Sequence, residues 1–272
     1  MYLNFYHLKE SPFNLTPDSH FLFLGAKHKE ALVHIRYGLR EKKGFIMVTG
    51  AIGAGKTTLC RSLLREMEQR YNIALVLNSM LSPTSLLKVL IKDLGITTKA
   101  RSRYDMTDVL YQYILDQKNV VVVIDEAQNL GVSTLEQVRL LGNLETEKEK
   151  LLQIILVGQP ELKDRLASER LRQLNQRIAV RYHLEPLNRE ETTSYINYRL
   201  AVAGNEGKIR FPEEAVQSIY NYSGGVPRVI NIVCDYSLVY GYIRETHIIT
   251  RDIVERAIKE SQGIICRESV LV

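Results

Sequence analysis

Residues 45–64 read FIMVTGAIGAGKTTLCRSLL: an apolar run, a glycine-rich turn, then apolar residues at helical spacing. Strand, tight loop and helix in that order restrict the fold more than any other feature of the chain. A parallel strand can be followed only by a crossover that returns over the sheet, and a helix is the usual crossover. The alternation continues downstream. IALVLN, VVVVID, LQIILVG and AVRYHLEPL read as further strands, with SPTSLLKVLIKDLG, MTDVLYQYILDQ and STLEQVRLLGNL as helices between them. VVVVID is continuous and β-branched, as expected of a strand buried on both faces. The expectation is an α/β fold with a parallel five-stranded sheet covered on both faces. Local signals agree: Ser82 is placed to cap a helix, Pro83 to occupy its first position, and Gly95 to follow its end.

After Pro186 the strands stop. NREETTSYINYRLAVAG opens on Asn188 with Glu191 three residues later, a capping-box arrangement, and closes at Gly204. PEEAVQSIYNYSGG, PRVINIVCDYSLVYGYI and TRDIVERAIKES complete a helical region. The division expected is an α/β domain over 1–185, a small all-helical domain over 186–262, and a tail 263–272 without a structural assignment. Within the first domain, residues 1–26 are rich in aromatics, Pro and Asn and read as an extended segment wrapping a core. The stretch AKHKEALVHIRYGLREKK reads as a helix, with Ala31, Ile35 and Leu39 on one face.

Bulk properties exclude several classes. The 272 residues are 45% hydrophobic and 25% charged, ordinary for a globular protein. A net charge of +5 permits an acidic partner such as nucleic acid or anionic lipid without requiring one, and DNA is not favoured because no long basic run appears. Three dispersed cysteines, Cys60, Cys234 and Cys266, form no metal or disulfide pattern. The opening lacks the layout of a secretory signal, and no apolar stretch approaches the roughly 20 residues of a membrane span. These features point to the cytoplasm, with any membrane role exercised through a partner.

The pattern G-x-x-x-x-G-K-[ST] is met by Gly50, Gly55, Lys56 and Thr57. A strand ending in such a loop can grip phosphate oxygens with backbone N–H groups at the N-terminus of the next helix. The cradle would comprise Gly50, Ala51, Gly53, Ala54, Gly55, Lys56, Thr57 and Thr58, with Lys56 reaching the β and γ phosphates and Thr57 holding Mg²⁺. In VVVVIDEAQNL, Asp125 is placed to hold the metal's water shell and Glu126 to polarise an attacking water. The other reading of Glu126 is a cap for the following helix. Gln159, just past the fourth strand, would lie beside this acidic pair if the third and fourth strands are neighbours. In RLRQLNQRIAVRYHL, Arg177 is the first choice and Arg172 the second for an arginine entering a neighbouring subunit's site. Arg228 follows Pro227 in the first turn of a helix, where the helix dipole disfavours a cation, so an anion contact is the functional reading.

Together these pieces resemble a AAA+ ATPase. More narrowly, MYLNFYHLKESPFNLTPDSHFLFLGAKHKEAL, GAIGAGKTTLCRSLL, VVVVIDEAQNL, LVGQPEL, LRQLNQRIAVRYHLEPL and GGVPRVIN resemble the ATPase region of the ExeA/GspA family of type II secretion and its pilus-linked MshM-like members. The resemblance spans residue 1 to about 262. It implies a AAA+ P-loop core followed by a helical lid. Gln159 would be sensor 1, Arg177 the arginine finger and Arg228 sensor 2. His28 would lie near the adenine, and ATP or ADP would bind with Mg²⁺. It further implies nucleotide-dependent rings or filaments and a secretion or pilus partner at the inner membrane, reached from the cytoplasm. ExeA-type proteins commonly continue into a transmembrane helix and a peptidoglycan-binding domain, so this chain is expected to be either a short stand-alone member or a piece of a longer protein. The same ATPase style resembles the transposition regulators TniB and TnsC, which assemble on DNA.

Overall fold

The computed structural model describes residues 2–16, 18–77, 80–145 and 150–269. The first half of the chain forms α1 (Tyr2–Tyr6), α2 (Ala26–Arg40), β1 (Phe45–Gly50), α3 (Lys56–Met67), β2 (Asn72–Val76), α4 (Pro83–Asp93) and α5 (Arg103–Gln117). Next come β3 (Val120–Ile124), α6 (Val132–Leu141), β4 (Leu152–Gly158), α7 (Glu161–Ala167), α8 (Arg172–Arg177) and β5 (Ile178–Leu184). Helices α9 (Arg189–Val202), α10 (Glu213–Ser223), α11 (Pro227–Ile243) and α12 (Arg251–Ser269) follow. Two compact units result: His28–Gly50 with Leu59–Leu184, and Met1–Lys27 with Ala51–Thr58 and Glu185–Val272.

The first unit is built on a five-stranded sheet in the order β2-β3-β4-β1-β5. Every pair is parallel, with Val120 opposite Leu152 and Phe45 opposite Ile154. Strands β1, β3 and β4 are buried along their whole length, which is why their sequences run nearly continuously apolar rather than alternating, with Thr49 and Gln153 the buried polar exceptions. At the edge, β5 alternates buried Ile178 and Val180 with exposed Ala179 and Arg181. Leu86, Leu90, Leu110 and Ile114 of α4 and α5 share one core with Val122, Ile154 and Leu156. The fourth strand does lie beside the third, so the C-terminal ends of β3 and β4 are adjacent, and β1 ends next to β4.

Several local signals act as expected. Ser82 accepts a hydrogen bond from the Ser85 N–H, with Pro83 opening α4. The Asn188–Glu191 capping box closes in both directions at the start of α9. Other boundaries shift. Helix α5 begins at Arg103 rather than Met106, because Ser102 caps it and the Arg103 Nε is anchored 2.8 Å from Gln137 Oε1. Strand β2 ends at Val76; Asn78, the last residue of the expected strand, lies outside the described residues. Helix α12 carries the backbone through most of the tail, to Ser269, and residues 270–272 lie outside the described residues.

The opening segment departs from expectation. Read from sequence, residues 1–26 wrap the α/β domain; the structure places them in the helical unit and starts them with a helix. The cause is aromatic burial. Tyr6, Phe13 and Phe21 enter the core of the helical unit with Ile196, Ile230 and Leu238. The Tyr6 hydroxyl donates to the carbonyls of Leu238 and Thr246, both at 3.1 Å. A tyrosine that buries its ring must still satisfy its hydroxyl, and two carbonyls of the helical unit do so.

Candidate functional site

The glycine-rich loop belongs to the helical unit. Gly53 and Gly55 take φ of 77° and 92°, a region that other residues enter only at a cost. A short turn, Ala54 N–H to the Ala51 carbonyl at 3.1 Å, fixes the loop's curvature. Lys56 opens α3 and is only 5% exposed. Its ammonium donates to the Ala51 carbonyl at 2.9 Å, so a cation is held over the loop by the loop's own backbone. Thr57 and Thr58 occupy the first turn of the same helix. At the start of α11, the Arg228 N–H donates to the Gly53 carbonyl at 3.3 Å. The structure therefore places Ala51, Gly53, Ala54, Gly55, Lys56, Thr57, Thr58 and Arg228 within one unit, whereas the sequence reading put the loop in the α/β domain and Arg228 in the helical one.

The sheet unit carries the carboxylates. Asp125 directly follows β3 and is 6% exposed. Its N–H donates to the Val76 carbonyl, and its Oδ1 accepts from the Glu126 N–H, both at 2.9 Å. Glu126 stands in the left-handed region, φ 50° and ψ 39°. A strained non-glycine backbone at the end of a central strand is where function is to be sought. The carboxylate makes no capping bond to the short 3-10 turn that follows (Ala127–Asn129), which removes the capping reading. Instead Glu126 Oε2 accepts from Gln128 Nε2 at 2.6 Å and from Gln159 Nε2 at 3.3 Å. Gln159 comes from the end of β4, so the strand order delivers it to Glu126. Gly50, the last residue of β1, belongs to the same sheet; a Cβ there would stand 2.7 Å from the Leu184 carbonyl oxygen, so the close approach of β5 requires glycine.

Other expected residues lie apart from these contacts. Arg177 ends α8, is exposed, and donates to the side-chain oxygen of Asn143. Arg172 opens the same helix and is exposed. His28 sits in the first turn of α2 and is buried. Sequence reasoning missed Gln128. It is 8% exposed and contacts both Glu126 and the Gln159 backbone. The only signal was its place three residues after Asp125, in a turn too short to bury a glutamine without a partner.

Among the described residues no cluster of three or more His, Cys, Asp and Glu side chains could hold a metal ion. Among the described residues no helix is long and apolar enough to cross a membrane.

A parallel sheet in the order β2-β3-β4-β1-β5, with a glycine-rich loop after β1 and an Asp-Glu pair after β3, is the AAA+ P-loop fold, and the chain has that fold. The family model described as an AAA domain matches residues 39–166. Over 273 aligned residues the chain is 41% identical to General secretion pathway protein A of Aeromonas hydrophila, covering 97% of this chain and 49% of that protein. The chain thus spans about half the length of this relative. Solved structures share the fold at low identity. Cdc6p from Pyrobaculum aerophilum aligns with TM-score 0.72 at 16% identity, over 92% of this chain and 70% of its own. The ORC2 protein of Aeropyrum pernix in its ADPNP-ADP complexes gives 0.70 at 15%, over 93% and 72%. A Walker-type ATPase of Pyrococcus abyssi gives 0.69 at 18%, over 94% and 78%.

Proposed function

We propose that the chain hydrolyses ATP in a Mg²⁺-dependent reaction that serves assembly of a bacterial secretion or pilus machine. Identity of 41% to a general secretion pathway protein supports the second half of that reading. Hydrolysis, as against binding alone, rests on one observation: the Glu126 carboxylate is turned away from capping and held by two side-chain amides.

In this reading the loop from Gly50 to Gly55 surrounds the phosphates, and Lys56 exchanges its Ala51 carbonyl for β and γ oxygens. Thr57 and, through water, Asp125 would hold Mg²⁺, which would supply charge neutralisation at the phosphates. Glu126 accepts the proton of a water attacking the γ-phosphorus; the bond to the β-phosphate oxygen breaks, giving ADP and phosphate. Gln159 orients that water. Arg228 and, from a neighbouring subunit, Arg177 balance developing charge. His28 contacts the adenine. The protein acts from the cytoplasm as a ring or filament, peripheral to the inner membrane through its partner.

The experiment is ATPase rate against protein concentration, with and without duplex DNA. Specific activity that rises with concentration and ignores DNA supports sites completed between subunits in an envelope machine. A rate that rises only with DNA replaces that reading with a DNA-assembled regulator.

A further inference from the structure

We propose that Gln128 is the positioning residue for the Glu126 carboxylate and ties it to the backbone at Gln159. The inference rests on the reading of Glu126 as the base. Gln128 spends both ends of one primary amide on two different segments. Its Nε2 donates to Glu126 Oε2 at 2.6 Å, and its Oε1 accepts from the backbone N–H of Gln159 at 3.1 Å. The orientation of the amide is fixed by chemistry. Turned over, it would set an oxygen against a carboxylate and an NH₂ against an N–H, both repulsive. The backbone of Gln128 is held in turn: its carbonyl accepts from Arg165 Nη1 at 2.7 Å.

Gly158, the last residue of β4, makes room for this arrangement. A Cβ at that position would stand 2.7 Å from Gln128 Oε1 and 2.9 Å from Leu162 Cδ2. Gln128 itself is 8% exposed. Glu126 therefore has its left-handed backbone and one carboxylate oxygen specified together. A base must stand within hydrogen-bond reach of the proton it takes, and a displacement of about 1 Å can cost on the order of a hundredfold in rate. Gln159 reaches the same oxygen at 3.3 Å, so any shift of the β4 end is felt at Glu126 by two routes, side chain and backbone. That couples Gln159, read as orienting the attacking water, to the base.

The test compares Gln128→Ala, Gln128→Glu, Gly158→Ala and Glu126→Gln in the full chain, with ATPase kinetics, binding of a fluorescent ATP analogue and thermal unfolding measured on each. Gln128→Glu keeps the acceptor for the Gln159 N–H and replaces the donor to Glu126 with a like charge. The expected result is a kcat lowered about tenfold to a hundredfold for both Gln128 variants, with KM and analogue affinity within about twofold of wild type. Gly158→Ala should lower kcat in the same manner. In the Glu126→Gln background, Gln128→Glu should add no further loss, because the group it positions is gone. Wild-type kcat in Gln128→Glu, alongside an inactive Glu126→Gln, overturns the proposal alone. Wild-type kcat in Glu126→Gln overturns the base assignment and the proposal with it. Equal losses in kcat and analogue affinity, with a lowered unfolding temperature, assign Gln128 to structure and overturn the proposal.

Discussion

Gly53 and Arg228 meet at the backbone: the Arg228 N–H donates to the Gly53 carbonyl at 3.3 Å, and a Cβ on Gly53 would stand 2.4 Å from that of Arg228. The glycine thus does two things at once. Its φ of 77° shapes the phosphate loop, and its missing side chain admits the first turn of α11. Gly53→Ala violates both requirements. The dihedral alone costs about 1–2 kcal/mol, so nucleotide affinity should fall at least about tenfold. Equilibrium titration with a fluorescent ATP analogue reads this directly. Affinity at the wild-type level would show that the loop rearranges without using the α11 contact.

Gly225 and Gly207 form a natural pair for testing packing against dihedral strain. Both have positive φ, 77° and 82°. A Cβ on Gly225 would lie 1.8 Å from the Leu187 carbonyl oxygen, whereas one on Gly207 would meet nothing within 4 Å. Gly225 also accepts the Leu187 N–H at 3.0 Å. Gly207→Ala should cost only the dihedral penalty of about 1–2 kcal/mol. Gly225→Ala adds backbone displacement and a broken hydrogen bond, and should exceed about 4 kcal/mol. Urea unfolding of both variants separates the two contributions; equal losses would mean that the segment at Leu187 shifts freely.

How much of this was legible in sequence depended on distance along the chain. The loop, the capping box at Asn188 and Glu191 and the start of α4 at Ser82 are written in residues a few positions apart, so their chemistry is complete within a short window. Gln159 was readable only on the condition that β3 and β4 are neighbours, and the sheet order meets it. Gln128 was not readable, because its role comes from Glu126 on one side and the Gln159 backbone, 31 residues away, on the other. The opening segment failed for the same reason at longer range. Tyr6 finds its carbonyls 232 and 240 residues downstream, and nothing in its neighbours announces them.

Tyr2 and Asp235 predict a pH dependence. The Tyr2 hydroxyl donates to Asp235 Oδ1 at 2.6 Å. Burial is the larger influence on the carboxyl and raises its pKa above the ordinary 3.8, with the Tyr2 bond opposing it. A raised acid pKa means that the folded state binds the proton more tightly than the unfolded chain does. The contribution to stability is therefore greatest below the ordinary carboxylate range, declines as pH rises through the window up to the folded value, and stays at its minimum above it. Asp235→Asn keeps an acceptor for Tyr2 and removes the titration. The stability of this variant relative to wild type should grow with pH across that window and then level off in urea unfolding. A difference that shrinks with rising pH would show that the Tyr2 bond outweighs burial.

Arg177 provides the test of sites shared between subunits. Its guanidinium is exposed at the end of α8 and rests on Asn143 of its own chain, a neutral partner it can leave at little cost. If Arg177 serves a neighbour's nucleotide, Arg177→Ala alone should lower turnover by roughly a thousandfold or more, and Lys56→Ala alone should abolish it. Mixing the two inactive proteins should restore activity. An Arg177→Ala subunit retains its own phosphate loop and can be served by the intact Arg177 of a Lys56→Ala neighbour. With random assembly, roughly a quarter of interfaces pair in that order, so an equal mixture should recover about that fraction of the wild-type rate. Recovery should peak near equal proportions and vanish at either extreme. If co-assembly is verified by light scattering and no ratio restores turnover, Arg177 acts within its own chain, and its contact with Asn143 is the state in which it functions.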